Sequence, residues 1–290
     1  MSDFSDFKRK SRSSSNLDEL SKKIQATSEK KSYKDDRFWR PELDKASNGY
    51  AVIRFLPAPP NEDLPWAKLY THGFQAKGGW FIENSRTTFG EKDPVSEMNS
   101  ELWNSGTEAD KDIARARKRK LQYISNILVI SDPANPQNEG KIFLYKFGKK
   151  IFDKIQEAME PEFADEKAVN PFELWDGANF KLKVRKISGF INYDKSEFDS
   201  PSALFDGDDT QLEELWKKQY SLTAFTDPSN FKSYDELKQR LMDVVGDDIR
   251  SNDGTSAPSI QETSETLESK SESVAEETDA LDYFERLAKD

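Results

Sequence analysis

RARKRK–LQYISNILVISDP–ANPQNEG–KIFLYKFGKK, residues Arg115 to Lys150, is the stretch on which the reading of this chain turns. Its middle, Ile127–Leu128–Val129–Ile130, is continuously apolar and β-branched, the composition of a strand buried on both faces. Asp132, Pro133, Asn135, Pro136 and Gly140 then crowd turn-forming residues into one short segment. Lys141–Phe147 alternates. Ile142, Leu144 and Lys146 share one face, and Lys141, Phe143, Tyr145 and Phe147 the other. Two strands are therefore bracketed by positive charge. Lys118–Arg119–Lys120 runs into Tyr123, and Tyr145 is followed by Lys146, Lys149 and Lys150. More rings are present than a hairpin core is expected to take, so some are expected at the surface. Positive charge follows a phosphate backbone, and aromatic faces stack unpaired bases at about 1–3 kcal/mol each. The same residue types also make an ordinary hairpin with a solvated basic rim. Both readings stand at this point.

Working outward, the composition sets bounds. The chain has 290 residues, 35% hydrophobic and 33% charged, with a mean hydropathy of -0.86. That suits a compact core, as one large or two small domains, with solvated flanks. No apolar window reaches the roughly 18 residues of a membrane span. The N-terminus lacks the apolar run of a signal peptide, so a cytosolic protein is expected. Cysteine is absent, which removes disulfides and thiolate chemistry. The net charge of -11 is unevenly spread. Residues 247–290 hold 13 acidic and 4 basic side chains, whereas residues 1–32 hold 8 basic and 5 acidic. The acidity belongs to the tail, and segments of different sign are joined in one chain.

Taken in order, Lys8–Arg9–Lys10–Ser11–Arg12 forms a short basic arm, followed by Leu17, Leu20 and Ile24 at helical spacing after Asn16. Gly49–Pro57 reads as a strand closed by prolines, and Arg54 within it suits either a buried, paired role or a phosphate-facing one. Trp66–Phe74 and Trp80–Ile82 read as two strands around the Gly78–Gly79 turn. Residues 85–116 read as loops, with a helix from about Glu108. Lys150–Met159, Thr210–Tyr220 and Ser233–Val245 carry apolar residues at helical spacing. Ala178–Ile187 alternates apolar with basic, predicting a half-buried strand with one positive face, and Ser188–Tyr193 sets Phe190 and Tyr193 beside it. Beyond Gly246 the composition turns to Ser, Thr, Glu and Asp until LDYFERLAKD, where apolar residues return at helical spacing. His72 is the one histidine, so a zinc site of four nitrogen or sulfur donors and a His-based dyad are both excluded. No P-loop, dinucleotide fingerprint or HExxH occurs. The expectation is no cofactor and no enzyme.

Specific motifs narrow this. AVIRFLP (51–57), HGF (72–74), W-F-I-E (80–83), KRK..Y..NILV (118–129), DPANPQNEGKIF.Y.FGKKI.DKI (132–155), W-D-G-A-N-F (175–180) and SGF.NYD.S.F (188–198) resemble the single-stranded DNA-binding, helix-destabilising protein of T-even-type phages. The resemblance runs from about Phe7 to Gly246, and the tail matches in character only. It implies a mainly β fold with peripheral helices (α+β) around an OB-fold core. Residues 1–20 would be a basic arm for self-association through Lys8, Arg9, Lys10, Ser11 and Arg12. Residues 21–246 would be the DNA-binding core, and 247–290 an acidic tail recruiting phage replication and recombination proteins. Single-stranded DNA would be met by Arg54, Trp103, Lys118, Arg119, Lys120, Tyr123, Tyr145, Lys146, Lys149, Phe190 and Tyr193, in the cytoplasm of the infected bacterium. Arg12 stands where the family's arm usually has a second hydroxyl, and Leu121–Gln122 follow the core triplet. The family's best-known members hold a structural zinc on one His and three Cys. Here His72 keeps the histidine position, Ser85 and Ser96 replace two cysteines, and the third falls in a gap near Asp93–Pro94, so no zinc is expected. Two other classes remain as alternatives. An acidic scaffold docking partners without touching DNA would show no salt-dependent oligonucleotide binding. A metal-dependent nuclease would cleave with magnesium.

Overall fold

The computed structural model describes residues 35–163 and 165–246. The basic arm, the helical spacing after Asn16, and the tail with its LDYFERLAKD end lie outside the described residues.

Strand β5 (Lys120–Ser131) is the spine of the sheet. The run from Tyr123 to Val129 is buried without a break, as its β-branched composition requires. Both edges of β5 are used. One pairs antiparallel with β6 (Ile142–Phe147), Tyr123 facing Phe147 and Leu128 facing Ile142. The other is shared, its first half by β3 (Ala67–Ala76) and its second by β2 (Gly49–Phe55). A register shift between Val52 and Ile53 accompanies this second pairing. β3 folds back on β4 (Gly79–Asn84), and β2 continues the sheet to β7 (Phe180–Ile187), flanked by β8 (Phe190–Asn192) and β9 (Glu197–Phe198). The short β1 (Phe38–Trp39) joins β6 in parallel, a pairing its sequence does not announce.

Five helices surround the sheet among the described residues: α1 (Pro94–Asn104), α2 (Glu108–Ala116), α3 (Lys149–Met159), α4 (Asp209–Lys217) and α5 (Tyr234–Val245). The fold is thus mainly β with peripheral helices. α2, α3 and α5 lie close to where the sequence puts them, while α4 is capped by Asp208 and stops at Lys217. α1 is a helix where loops are expected. Its start is nevertheless legible in Asp93–Pro94, because the Asp93 carboxylate accepts the Val95 and Ser96 amides and Pro94 fills the first turn.

The two faces of the β5–β6 hairpin are both covered. Tyr123, Ile127, Val129, Tyr145 and Phe147 join the main core with Phe55, Phe172 and Phe180, whereas Ile124 and Leu144 join a second cluster with Ala67, Leu69 and Leu222. Asn126 sits buried on that second side. Its side chain donates to the Tyr220 carbonyl and accepts from the Tyr220 amide at 2.8 and 2.9 Å, imitating a strand edge.

Candidate nucleic-acid interface

The aromatic face of the hairpin continues past the core to the surface. Tyr145 and Phe147 stack at 5.5 Å between centroids, Phe147 and Tyr123 at 5.8 Å, and Tyr123 lies against Phe152 of α3 at 3.9 Å with rings nearly parallel. Antiparallel pairing sets Lys68 opposite Tyr123 and Tyr70 opposite Leu121, on this same face. There the packing thins. Tyr70 is half-buried, and the Arg119 guanidinium lies 4.3 Å from its ring centre, with the Lys68 ammonium at 5.9 Å. Helix α2 delivers the basic segment to this edge. It is capped by Thr107 and packs on α1, which carries Trp103. Trp103 is 47% exposed, and the Arg115 guanidinium sits 5.3 Å from its ring centre.

The structure divides the residues expected at a DNA surface. Trp103, Lys118, Arg119 and Phe190 are exposed, Lys120 and Lys146 are half-buried, and Lys149 is exposed in an ion pair with Asp153 at 2.8 Å. Tyr123, Tyr145 and Tyr193 are only 5%, 3% and 8% exposed. The expectation that the hairpin's rings exceed its core is corrected here. α3 lies over that face and β1 extends the sheet beside β6, so Phe152 covers Tyr123 and Trp39 packs edge-on against Tyr145 at 5.5 Å. Burial accordingly pushes the Tyr123 phenol above its ordinary pKa. Arg54 is wholly buried, and its Nη2 donates to the Ser202 carbonyl. Burial lowers its pKa, and the charge of Glu173 works against that. Of its two readings, the buried one is realised.

The positive face expected on β7 is largely balanced. Lys181 pairs with Asp199 at 2.9 Å, Lys183 with Glu197 at 2.7 Å, and Arg185 binds Asp194 through Nε at 2.9 Å. The hydrogen bond to Arg185 holds Asp194 below the usual carboxylate range, as the one to Lys183 does for Glu197. The carboxylates come from the returning segment, beyond the span a strand pattern reads. Phe190 follows a turn in which Ser188 and Gly189 have φ of 52° and 91°, the conformation of a tight hairpin. Lys68 and Tyr70 were missed in the sequence. Their signal was the alternation Lys68–Tyr70 on a strand next to the basic triplet.

A second polar cluster lies at the other end of β3. His72 Nε2 donates to Asp93 Oδ1 at 3.0 Å, and Ser85 Oγ donates to Asp93 Oδ2 at 2.9 Å. The Arg86 amide reaches Oδ2 at 3.1 Å, and the Val95 and Ser96 amides reach Oδ1 at 3.1 and 3.0 Å. Burial opposes the Asp93 charge, but His72, the Ser96 amide and Ser85 outweigh it and hold the carboxyl far below its ordinary pKa.

A sheet corner with Tyr70 under the Arg119 guanidinium, beside the basic Lys118–Lys120 segment, has the chemistry of proteins that bind an anionic, aromatic polymer. Comparison with known proteins makes this particular. Residues 47–245 match the family described as gp32 DNA binding protein like, and the chain belongs to that family. It is 39% identical over 269 residues to the single-stranded DNA-binding protein of Enterobacteria phage T4, covering 89% of this chain and 84% of that one. It is 43% identical over 223 residues to the single-stranded DNA-binding protein of Enterobacteria phage T2, covering 74% and 72%.

Proposed function

We propose that this chain binds single-stranded DNA with little sequence preference, in the cytoplasm of a phage-infected bacterium, and performs no catalysis. The observation that carries the reading is the ring row that surfaces at Tyr70 beneath Arg119 of the basic triplet. Rings accept any base, and Lys118, Arg119 and Lys120 supply charge for phosphates. Family membership supports the same reading. The core, residues 21–246, is the DNA-binding unit and is built on an OB-fold. The strand runs over Trp103, Tyr70 and the 118–120 segment toward Lys149 and Phe190, with Tyr123, Tyr145 and Tyr193 in the layer beneath. Lys146, over the Phe38 ring, and Arg54 project from the opposite face of the sheet and lie off this path. Lys8, Arg9, Lys10, Ser11 and Arg12 of the arm contact a neighbouring copy and make binding cooperative. The tail, 247–290, engages phage replication and recombination proteins. Protection of exposed strands and destabilisation of duplexes follow from preferential binding to the single-stranded state.

Tryptophan-fluorescence titration with homopolymer strands at several salt concentrations tests this. Arg119→Ala should flatten the salt dependence by a slope of about 0.7, the share of a single phosphate. Tyr70→Ala should weaken affinity by about 1–3 kcal/mol for every homopolymer alike. Folded variants that both bind like wild type would move the interface elsewhere. Wild-type protein with no salt-dependent binding would favour the scaffold reading.

A further inference from the structure

We infer that this chain has exchanged the family's structural zinc for a metal-free hub, in which the Asp93 carboxylate ties strand β3 to helix α1. The residues at the family's ligand positions do not fit a zinc ion. They offer one imidazole, one carboxylate and two neutral hydroxyls, where a closed site uses thiolates and imidazoles. The bonds directed at Asp93 are already made, while the other imidazole nitrogen, His72 Nδ1, is buried without a hydrogen-bond partner among the described residues. The imidazole nitrogen that faces the cluster donates to Asp93, and the Ser85 hydroxyl donates to Asp93 while accepting from the Thr87 amide. Ser96 contributes its backbone amide to Asp93. Tetrahedral ligands about 2.0–2.2 Å from zinc stand about 3.3 Å or more apart. The His72–Asp93 contact, at 3.0 Å, is a hydrogen bond with no room for an ion between its partners. Among the described residues, no group of three or more His, Asp or Glu is arranged to hold a metal.

The hub does mechanically what a metal would do. His72 belongs to β3, Ser85 caps the short 3-10 turn Arg86–Phe89, and Asp93 caps α1, so one carboxylate fastens three successive segments. His72 and Asp93 are each 1% exposed and Ser85 is fully buried. In such a place a charged acceptor makes stronger hydrogen bonds than a neutral one, and it is costly to leave unpaired. Asp93 takes donors from His72, Ser85 and three amides. An asparagine of the same shape has only one oxygen to offer them.

The experiment uses the purified full-length protein and reads metal content and melting, so its outcome is separable from DNA binding. Wild type should contain no stoichiometric zinc, and EDTA or added zinc should leave its Tm unchanged. Asp93→Asn should lower Tm by several degrees and Ser85→Ala by less. The combined variant Ser85→Cys, Asp93→Cys, Ser96→Cys, with His72 retained, should take up one zinc per chain and melt in a chelator-sensitive way. Stoichiometric zinc in wild type, a chelator-sensitive wild-type melt, or unchanged melts of both Asp93→Asn and Ser85→Ala would overturn the hub. A triple variant that folds but takes up no zinc would overturn its equivalence to the metal site.

Discussion

Tyr145 shows how far one residue's meaning depends on what packs above it. Its alternation with Lys146 puts the ring and the charge on opposite faces, a correct inference from strand geometry. Whether the ring meets DNA or core is decided by Trp39 and Phe55, which lie 5.5 and 6.5 Å from it. We therefore predict that Tyr145→Ala acts first on stability, costing about 3–5 kcal/mol as large aromatic truncations do. Trp103→Ala, at a ring 47% exposed, should leave the melt nearly unchanged and weaken single-strand binding. Paired denaturation and fluorescence titrations separate the two. A Tyr145→Ala protein with wild-type stability and weak binding would return that ring to the interface. Arg54 teaches the same lesson from the other side, since its charge in a β-branched run left both roles open until Ser202, far along the chain, supplied the partner.

Among the elements, helix α5 is the one whose docking can be traced to single atoms. It was legible from Ser233 and its apolar stripe, and the structure adds a reciprocal capping box with Glu236. What the helix rests on was not legible. Its last turn lies on the β3–β4 turn, where the Gly78 amide donates to the Val244 carbonyl at 2.7 Å. A Cβ on Gly78 would stand 2.3 Å from the Asp243 carbonyl oxygen and 2.8 Å from Val244 backbone atoms. Gly78→Ala should accordingly cost about 1–3 kcal/mol, as overpacking does, measured by denaturant midpoint. An unchanged midpoint would mean the helix end can lift at little cost. The first turn of α5 also holds α1, through the Tyr234 hydroxyl donating to Glu97 at 2.6 Å. That hydrogen bond, with burial second, raises the phenol to about 12. A phenol raised above its unfolded value near 10 stabilises the fold fully below that value. The contribution is lost as pH climbs from about 10 through about 12. Wild type should therefore lose more stability than Tyr234→Phe over this window, and parallel melting curves for the two would refute the assignment.

At the scale of the whole molecule, charge is distributed so that the ends oppose each other. An acidic segment tethered to a core with a cationic corner has a high effective concentration there. If it competes with the strand, the coupling must be reciprocal. Removing residues 247–290 should then raise single-strand affinity at low salt, and the gain should shrink as salt screens the attraction. Equal affinities of full-length and truncated chains at low salt would leave partner engagement as the tail's role. Deleting residues 1–20 should spare binding to short oligonucleotides but flatten the steep isotherm on long strands. A steep isotherm after that deletion would place cooperativity in the core.

By itself the sequence determined the elements whose signals are local: the β5 run, the turn at Asp132–Gly140, the alternation of β6 and β7, and the helices α2, α3 and α5. Period and capping act within a few residues, so one strand or helix can be read alone. The absence of cysteine likewise decided that a His and three Cys could not hold zinc. Only the tertiary structure decided which rings are core, because Trp39, Phe55 and Phe172 come from distant parts of the chain to pack on them. It alone balanced Lys181, Lys183 and Arg185 with Asp199, Glu197 and Asp194, and it alone showed the Asp93 carboxylate bonded to His72 and Ser85. Burial and ion pairing are long-range properties. They depend on which segments meet, and the periodicity of one segment carries no record of its partners.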